Sequence, residues 1–370
     1  MRPRVLFLVP WGVEQPSTRF RVSQYLPYFE DAGVEVVDVV EINGRLSPGE
    51  LASTFISLLQ SLRRSDIVFN HRVPLPAFVS RLLSAKCRVV FDLDDALFVK
   101  PFSWSPKKDF AARRRVIDYA LGHADAVIAG NDYLADYAKG FSQRVVVIPT
   151  GVDTGEDEID EARFRRWSFT RQVYRPPEGE ANRGEVVIGW IGTPNNLCWL
   201  DQVGPALRVL QQRHRVQVKV VSGAPWTFPG LEVTNKPWSL AEEVADVQSF
   251  DIGLMPLDPD EPFLKGKCGF KIIEYMAVGK PAVASDVGVN ASIIRPGYNG
   301  YLVSQPDEWL SHLERLVLDA PLRRKMGKEA RATVVERYSV RALLPEYLAL
   351  FRELCQEPGR PAETATLRAH

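Results

Sequence analysis

The sequence predicts an α/β protein made of two Rossmann-like, doubly wound domains that face a cleft. Three observations predict it. Short apolar runs alternate with helical patterns along the chain, as parallel sheets covered on both faces require. The 370 residues suffice for two domains of ordinary size. Each half opens with a continuous apolar run, at 4–10 and at 186–191, that runs straight into a polar loop.

The first half reads as follows. Residues 4–10 form a buried strand and 11–18 a loop. A helix spans 19–32 with Ser17 or Thr18 as its N-cap, Gly33 closes it, and 34–40 form the second strand. Ligands of such sheets lie at the C-terminal ends of the strands, so the first loop faces the cleft. Arg19 sits where a helix dipole disfavours a cation, which points to a task across the cleft. A helix at 51–64, a strand at 66–70 and the polar tripeptide Asn70-His71-Arg72 follow, then a helix at 76–84. The strand at 88–91 runs into Asp92-Leu93-Asp94-Asp95. Clustered carboxylates repel one another, which raises one pKa and suits a base. Asp92 and Asp94 are therefore the catalytic candidates of this half. Trp104, Lys107, Lys108 and Arg113 to Arg115 form a basic, Trp-containing stretch suited to anionic headgroups or a lipid-linked acceptor. Strands at 124–129 and 144–149 complete this half, with Asn131 and Asp132 at a strand end.

The linker region at 154–185 carries a short helix at 161–167. A strand at 186–191 ends in Gly192-Thr193-Pro194-Asn195. Beyond it come a helix at 200–213, strands at 216–222 and 231–234, and Trp238 before a helix at 239–248. The stretch 251–304 is the most informative. It holds a strand, an acidic loop, a turn containing Lys265, Gly266, Lys267 and Gly269, and a helix with Ile272, Ile273, Met276 and Ala277 on one face. Gly279 and Pro281 stop that helix, and 282–285 form the next strand. A helix N-terminus with nearby lysines is a diphosphate cradle by physical type. Lys267, Lys271 and the N–H groups at Gly269 and Phe270 would hold phosphate, and Glu274, one turn on, suits a ribose diol. Helices at 307–318, 321–336 and 340–355 end the fold, followed by a Pro/Ala/Thr-rich tail at 356–370 expected to be disordered.

Composition narrows the partners. With 46 basic and 46 acidic residues the chain has no bulk field for nucleic acid. Cys87, Cys198, Cys268 and Cys355 make no CxxC pair and read as free thiols of a reducing compartment. The start, MRPRVLFLVPWG, reads as a strand and not a signal peptide, and no run approaches a membrane span. A cytoplasmic protein, at most peripheral on a membrane's inner face, is expected.

The words KCGFKIIEYMAVGKPAVAS, followed by DVGVN and GYNGYLV, resemble the donor-site signature of the family-four, or group 1, retaining glycosyltransferases, which have the GT-B fold. The resemblance runs from the first strand to the last helix. It implies a nucleoside-diphosphate sugar as donor, a hydroxyl of a saccharide or lipid-linked molecule as acceptor, and no required metal. The DxD-like acidic cluster is accordingly not read as a metal site. It also implies that Glu274 holds the ribose and that the loop at Trp238 packs on the base, while Lys271 and Lys267 would stabilise the leaving diphosphate and Thr193 would contact phosphate where the family's own residues are missing. For Trp238, a core role capping the next helix remains open. Two features depart from the family. The first of its two glutamates falls on Gly266, and its usual phosphate-binding arginine and lysine after residue 191 are absent. The expected domains are 1–165 and 166–339, with 340–355 packing back on the first. The rival readings are a nucleotide-sugar epimerase and a catalytically silent nucleotide-sugar-binding protein.

Overall fold

A computed structural model describes residues 2–42, 48–101, 109–179 and 184–357, with side chains of 48–53 left out. Trp104, Lys107, Lys108 and the tail beyond Glu357 lie outside the described residues.

Strands β1 (Arg4–Val9), β2 (Glu35–Glu41), β3 (Ile67–His71), β4 (Arg88–Leu93), β5 (Ala126–Ala129) and β6 (Val145–Val147) form one sheet, in the order β2-β1-β3-β4-β5-β6. Strands β7 (Val186–Ile191), β8 (Val216–Ser222), β9 (Val233–Pro237), β10 (Ile252–Met255), β11 (Ala282–Ser285) and β12 (Gly300–Val303) form the second, in the order β12-β11-β10-β7-β8-β9. All pairings are parallel. The strand order reverses beside β1 and beside β7, which opens a crevice at the C-terminal edge of each sheet. β1 and β3 are buried along nearly their whole length because helices cover both faces.

The expected helix at 19–32 is broken. It appears as Pro16–Arg21, a 3-10 turn at Ser23–Tyr25 and Leu26–Asp31. Pro27 has no N–H to give a preceding carbonyl, so the helical ladder cannot run through it. The break frees the first piece to tilt into the cleft. Helix Asp132–Lys139, capped by the Asn131 side chain on Leu134 N, is an element that the apolar pattern does not announce.

Two chain passages join the halves, and they lie side by side. Val152 N bonds Tyr338 O, and Val340 N bonds Val152 O. Helix Val340–Gln356 then returns to the first sheet, where Tyr347 and Phe351 pack among Phe29 and Phe69. In the second half, Gly189 and Gly253 leave room on the sheet for the rings of Phe250 and Tyr275, which a Cβ would strike at 2.1 Å. The Tyr275 hydroxyl bridges the reversal point, donating to Leu254 O of β10 and accepting from Ile191 N of β7.

Under the first crevice, Arg21 and Asp92 form an ion pair with side chains 1% and 0% exposed. Arg21 Nε and Nη2 both bond the carboxylate, and Nη1 bonds Ile148 O. Removing one partner leaves a buried charge uncompensated. Arg21→Met is expected to lose about 3–5 kcal/mol in urea unfolding, whereas Arg163→Met, at the exposed pair with Asp31, is expected to change stability by less than about 1 kcal/mol.

Candidate active site

The turn and the helix expected at the start of the second domain's key segment are present. A 3-10 turn at Pro262–Gly266 leads to Gly269, the N-cap of helix Phe270–Ala277. The first N–H groups of a helix have no partner within it and carry partial positive charge. Gly269 has φ +65°, the left-handed region that suits glycine. Its missing side chain faces Ile293 and Val289, so the glycine serves packing and conformation and does not clear a path for a ligand.

Lys271 runs beneath the loop after β7. A Cβ on Gly192 would lie 2.6 Å from Lys271 Cε, and the ammonium sits 5.4 Å from the Trp190 ring centre. Burial, and then the charge of Lys267, lower the Lys271 ammonium to about 8. Lys267 itself points away to the first domain, 3.3 Å from Asp95. Lys267 is thus paired with the first domain while its charge still reaches Lys271. Thr193 is exposed, and its hydroxyl accepts from the Asn196 amide.

Glu274 is 4% exposed and lies 3.2 Å from the Tyr174 hydroxyl. Burial, and then Glu243, push its carboxyl well above the usual range. Tyr174 OH donates to Glu243, which also accepts Trp238 Nε1–H at 2.7 Å. Trp238 is half-buried and stands beside this carboxylate pair, and the helix after it begins only at Glu243.

Arg19 crosses from the first domain into this cluster. Its Nη2 bonds both Glu243 oxygens at 2.7 Å, and Nη1 bonds Val13 O at 3.2 Å. The guanidinium lies 5.8 Å from the Trp238 ring centre. Arg19 does reach across the cleft, but its charge is committed to Glu243 and not open to a phosphate or an acceptor.

The acidic cluster corrects the sequence expectation most. Asp92 is fully buried and cannot touch an acceptor. Burial alone would raise its carboxyl, but Arg21 and His71 outweigh that and hold it below the usual range. Asp94 follows the same logic with Arg72, 2.9 Å away, as its main counter-charge. Neither carboxylate is raised, so neither fits the base that mutual repulsion suggested. His71 is the residue that the sequence reading left as loop chemistry. Its Nδ1 lies 2.7 Å from Asp92 Oδ2, and its Nε2 lies 2.7 Å from Ser17 Oγ. The signal was available: His71 and Asp92 are the strand-end residues of neighbouring strands and pair directly in the β3–β4 register. Tyr174 and Glu243 were also missed, and no local pattern marks them.

The seam between the domains is tight here. Asn131 Nδ2 donates to Gly266 O and Lys267 O, each at 3.2 Å, and the Cys268 thiol donates to Asp94 O. Phe270 packs against Phe20 with ring centres 4.0 Å apart and the rings tilted by 43°. Gly266, where the family has its first glutamate, lies flat against Ala96, and a Cβ there would meet Ala96 Cβ at 2.6 Å. A cavity of about 480 Å³ opens beside the seam, lined among others by Asn131, Tyr133, Lys265, Asp286 and Gly288. Among the described residues, no group of three or more His, Cys, Asp or Glu is placed to hold a metal ion.

Known proteins agree with this architecture. Residues 6–151 match the family model described as Glycosyl transferase 4-like domain, and residues 262–333 match Glycosyl transferases group 1. Both halves of the chain thus match glycosyltransferase family models, and the two-sheet architecture is the GT-B fold. It is similar to a D-inositol 3-phosphate glycosyltransferase of Paenarthrobacter aurescens (strain TC1), 34% identical over 267 residues, which cover 67% of this chain and 61% of that protein. The chain therefore spans less than two thirds of the length of that relative. Its fold resembles Anabaena HepE, solved in complex with UDP and glucose, with TM-score 0.67, 18% identity and coverage of 95% and 100% of the two chains. It also resembles sucrose-phosphate synthase of Thermosynechococcus elongatus, with TM-score 0.69, 16% identity and coverage of 95% and 99%.

Two predictions follow from this geometry. Gly266→Ala is expected to cost about 1–3 kcal/mol by overpacking against Ala96, and Gly266→Glu, which restores the family residue, to lower the melting temperature and turnover together. The second concerns Lys271. Its pKa is lowered to about 8, and a bound diphosphate favours the charged form, so binding takes up a proton. Affinity for nucleoside diphosphates should fall as pH rises through that value. Calorimetry in two buffers of different ionisation heat should show the uptake, and Lys271→Met should abolish it.

Proposed function

We propose that this chain transfers a glycosyl group, with retention at the anomeric carbon, from a nucleoside-diphosphate sugar to a hydroxyl acceptor. The observation that carries this reading is the buried cradle: the open N-terminus of helix Phe270–Ala277, with Lys271 beneath Gly192 and Glu274 one turn further along. Leaving-group charge would develop at the helix N-terminus. N–H groups and an ammonium already in place lower the barrier without reorganising. Glu274 would fix the ribose, and Trp238 would pack on the base. The seam made by Asn131, Cys268 and Phe270 would exclude water, which favours transfer over hydrolysis.

The UDP and glucose in the HepE structure support a sugar nucleotide as donor. The name of the Paenarthrobacter relative supports a polyhydroxylated acceptor. Synthesis of polysaccharide, cell envelope or glycolipid is the setting we favour, with no metal required. Among the described residues no helix is long and apolar enough to cross a membrane. A peripheral, cytoplasmic-face contact through exposed Arg114 and Arg115 belongs to the same reading. We place the domain boundary between Phe169, which packs in the first core, and Tyr174, which packs in the second.

The test begins with a thermal-shift panel of UDP, GDP and ADP sugars, followed by Glu274→Gln. Because Glu274 is held well above its ordinary range, the neutral amide is expected to leave the melting temperature unchanged. It should weaken the best-binding sugar nucleotide by about tenfold or more, since a carboxylate formed on binding offers one accepting oxygen to each ribose hydroxyl, whereas the amide turns an NH2 donor towards one of them. Equal affinity in Glu274→Gln would remove the ribose contact from the account.

A further inference from the structure

We propose that Asn131 is a positioning residue for the donor turn: its amide holds residues 266–268 in the shape in which helix Phe270–Ala277 presents its open N-terminus, so the first domain completes the grip on the diphosphate. The proposal rests on the glycosyl-transfer reading above and gives the first domain a part in the donor site. Asn131 stands just beyond β5 and uses both ends of its amide. Its Oδ1 accepts Leu134 N at 3.0 Å, as the cap of helix Asp132–Lys139, and this orients the side chain. Its Nδ2 then faces the other domain and donates to Gly266 O and Lys267 O, each at 3.2 Å. A peptide unit is planar, so holding these two carbonyls fixes the two peptide planes between Gly266 and Cys268. The next residue, Gly269, is the helix cap.

The side chains on those planes are held from the same side. Lys267 Nζ lies 3.3 Å from Asp95, and the Cys268 thiol donates to Asp94 O at 3.2 Å. The thiol fills a socket left by Gly130, where a Cβ would lie 2.4 Å from Sγ. Gly266, Lys267 and Cys268 therefore each meet the first domain, immediately before the helix that would hold the diphosphate. The chain passages between the domains lie side by side at Val152 and at Tyr338 to Val340. A hinge movement there would take all of these partners from the turn at once. Aimed N–H groups lower a barrier only while their directions are kept, and a misplacement of about 1 Å costs up to ~10²-fold.

Closure and grip are then linked. If the closed seam shapes the turn that holds the diphosphate, a bound diphosphate favours the closed seam by the same factor. Cys268 reports the seam without any turnover. Burial pushes its thiol up to about 12, and the thiolate is the reactive form, so a seated Cys268 alkylates slowly.

Iodoacetamide labelling of the full chain, read by mass spectrometry with the exposed Cys198 as internal reference, measures the opening. Serine keeps the helix cap and lacks the amide nitrogen. Asn131→Ser should raise the Cys268 rate by ~10-fold or more, the worth of two lost hydrogen bonds. Ala135→Gly weakens the same helix with the amide in place and should leave that rate unchanged. An equal rise in both variants would reduce Asn131 to a helix cap and overturn the proposal. Whichever of UDP, GDP and ADP raises the melting temperature most should slow Cys268 in the wild-type chain, and less so in Asn131→Ser. A Cys268 rate indifferent to Asn131→Ser, or to the bound diphosphate, would also overturn it. Slow hydrolysis of UDP-glucose, GDP-mannose and ADP-glucose, with water as acceptor, supplies the kinetic arm. Asn131→Ser should lower kcat by ~10-fold or more with KM nearly unchanged, and wild-type kcat would count against the proposal. If the wild-type chain binds none of the diphosphates and hydrolyses none of the donors, the transferase reading is what fails. The Cys268 rate in Asn131→Ser then still decides whether Asn131 holds the turn.

Discussion

The ion pair between Arg19 and Glu243 is the constraint on which the rest of the cleft depends. Its side chains are 1% and 3% exposed, and the residues come from different domains. Taking two charges out of water is expensive, and close geometry with further hydrogen bonds is what repays it. Here Arg19 also bonds the Val13 carbonyl, while Glu243 takes hydrogens from Tyr174 and Trp238. The pair thus fixes the first loop against the wall that carries Trp238 and Glu274. It also explains the high pKa of Glu274. After burial itself, the charge on Glu243 next door is what opposes a second buried carboxylate.

The same interlock gives meaning to the departure at Gly266. A glutamate needs room there, and Ala96 occupies it. Backbone contact replaces the side chain: Asn131 holds the Gly266 and Lys267 carbonyls, and Cys268 sinks into the core of the first domain beside Phe91 and Leu93. The loss of one polar side chain and the close seam are therefore one structural fact. The seam leaves Lys271 and the helix N-terminus as the charge-bearing features on the second-domain side, with Lys267 turned to Asp95.

Much of this was legible in the sequence because burial writes itself into it. Strands covered on both faces must be apolar, so β1 and β7 could be read almost to the residue. Gly279 and Pro281 marked the end of the key helix by backbone chemistry alone. What failed was reasoning about charges in isolation. Asp92, Asp94 and Asp95 look like a mutually repelling cluster in one dimension, yet each has its own cation in space, respectively Arg21, Arg72 and Lys267. Those partners are supplied by the first helix, by the end of a neighbouring strand and by the other domain. Glu243 lies 224 residues from Arg19, and no local rule joins them. His71 was within reach, since parallel register sets it beside Asp92, but that requires knowing which strands are neighbours.

The central claim is that the turn into helix Phe270–Ala277 grips the leaving diphosphate. A crystal structure of the chain with the sugar nucleotide that stabilises it most tests this directly. The account predicts both phosphates on the N–H groups of the first helical turn, within hydrogen-bond reach of Lys271 Nζ, and the ribose hydroxyls on Glu274. A nucleotide bound elsewhere, with that turn and Lys271 untouched, would contradict it.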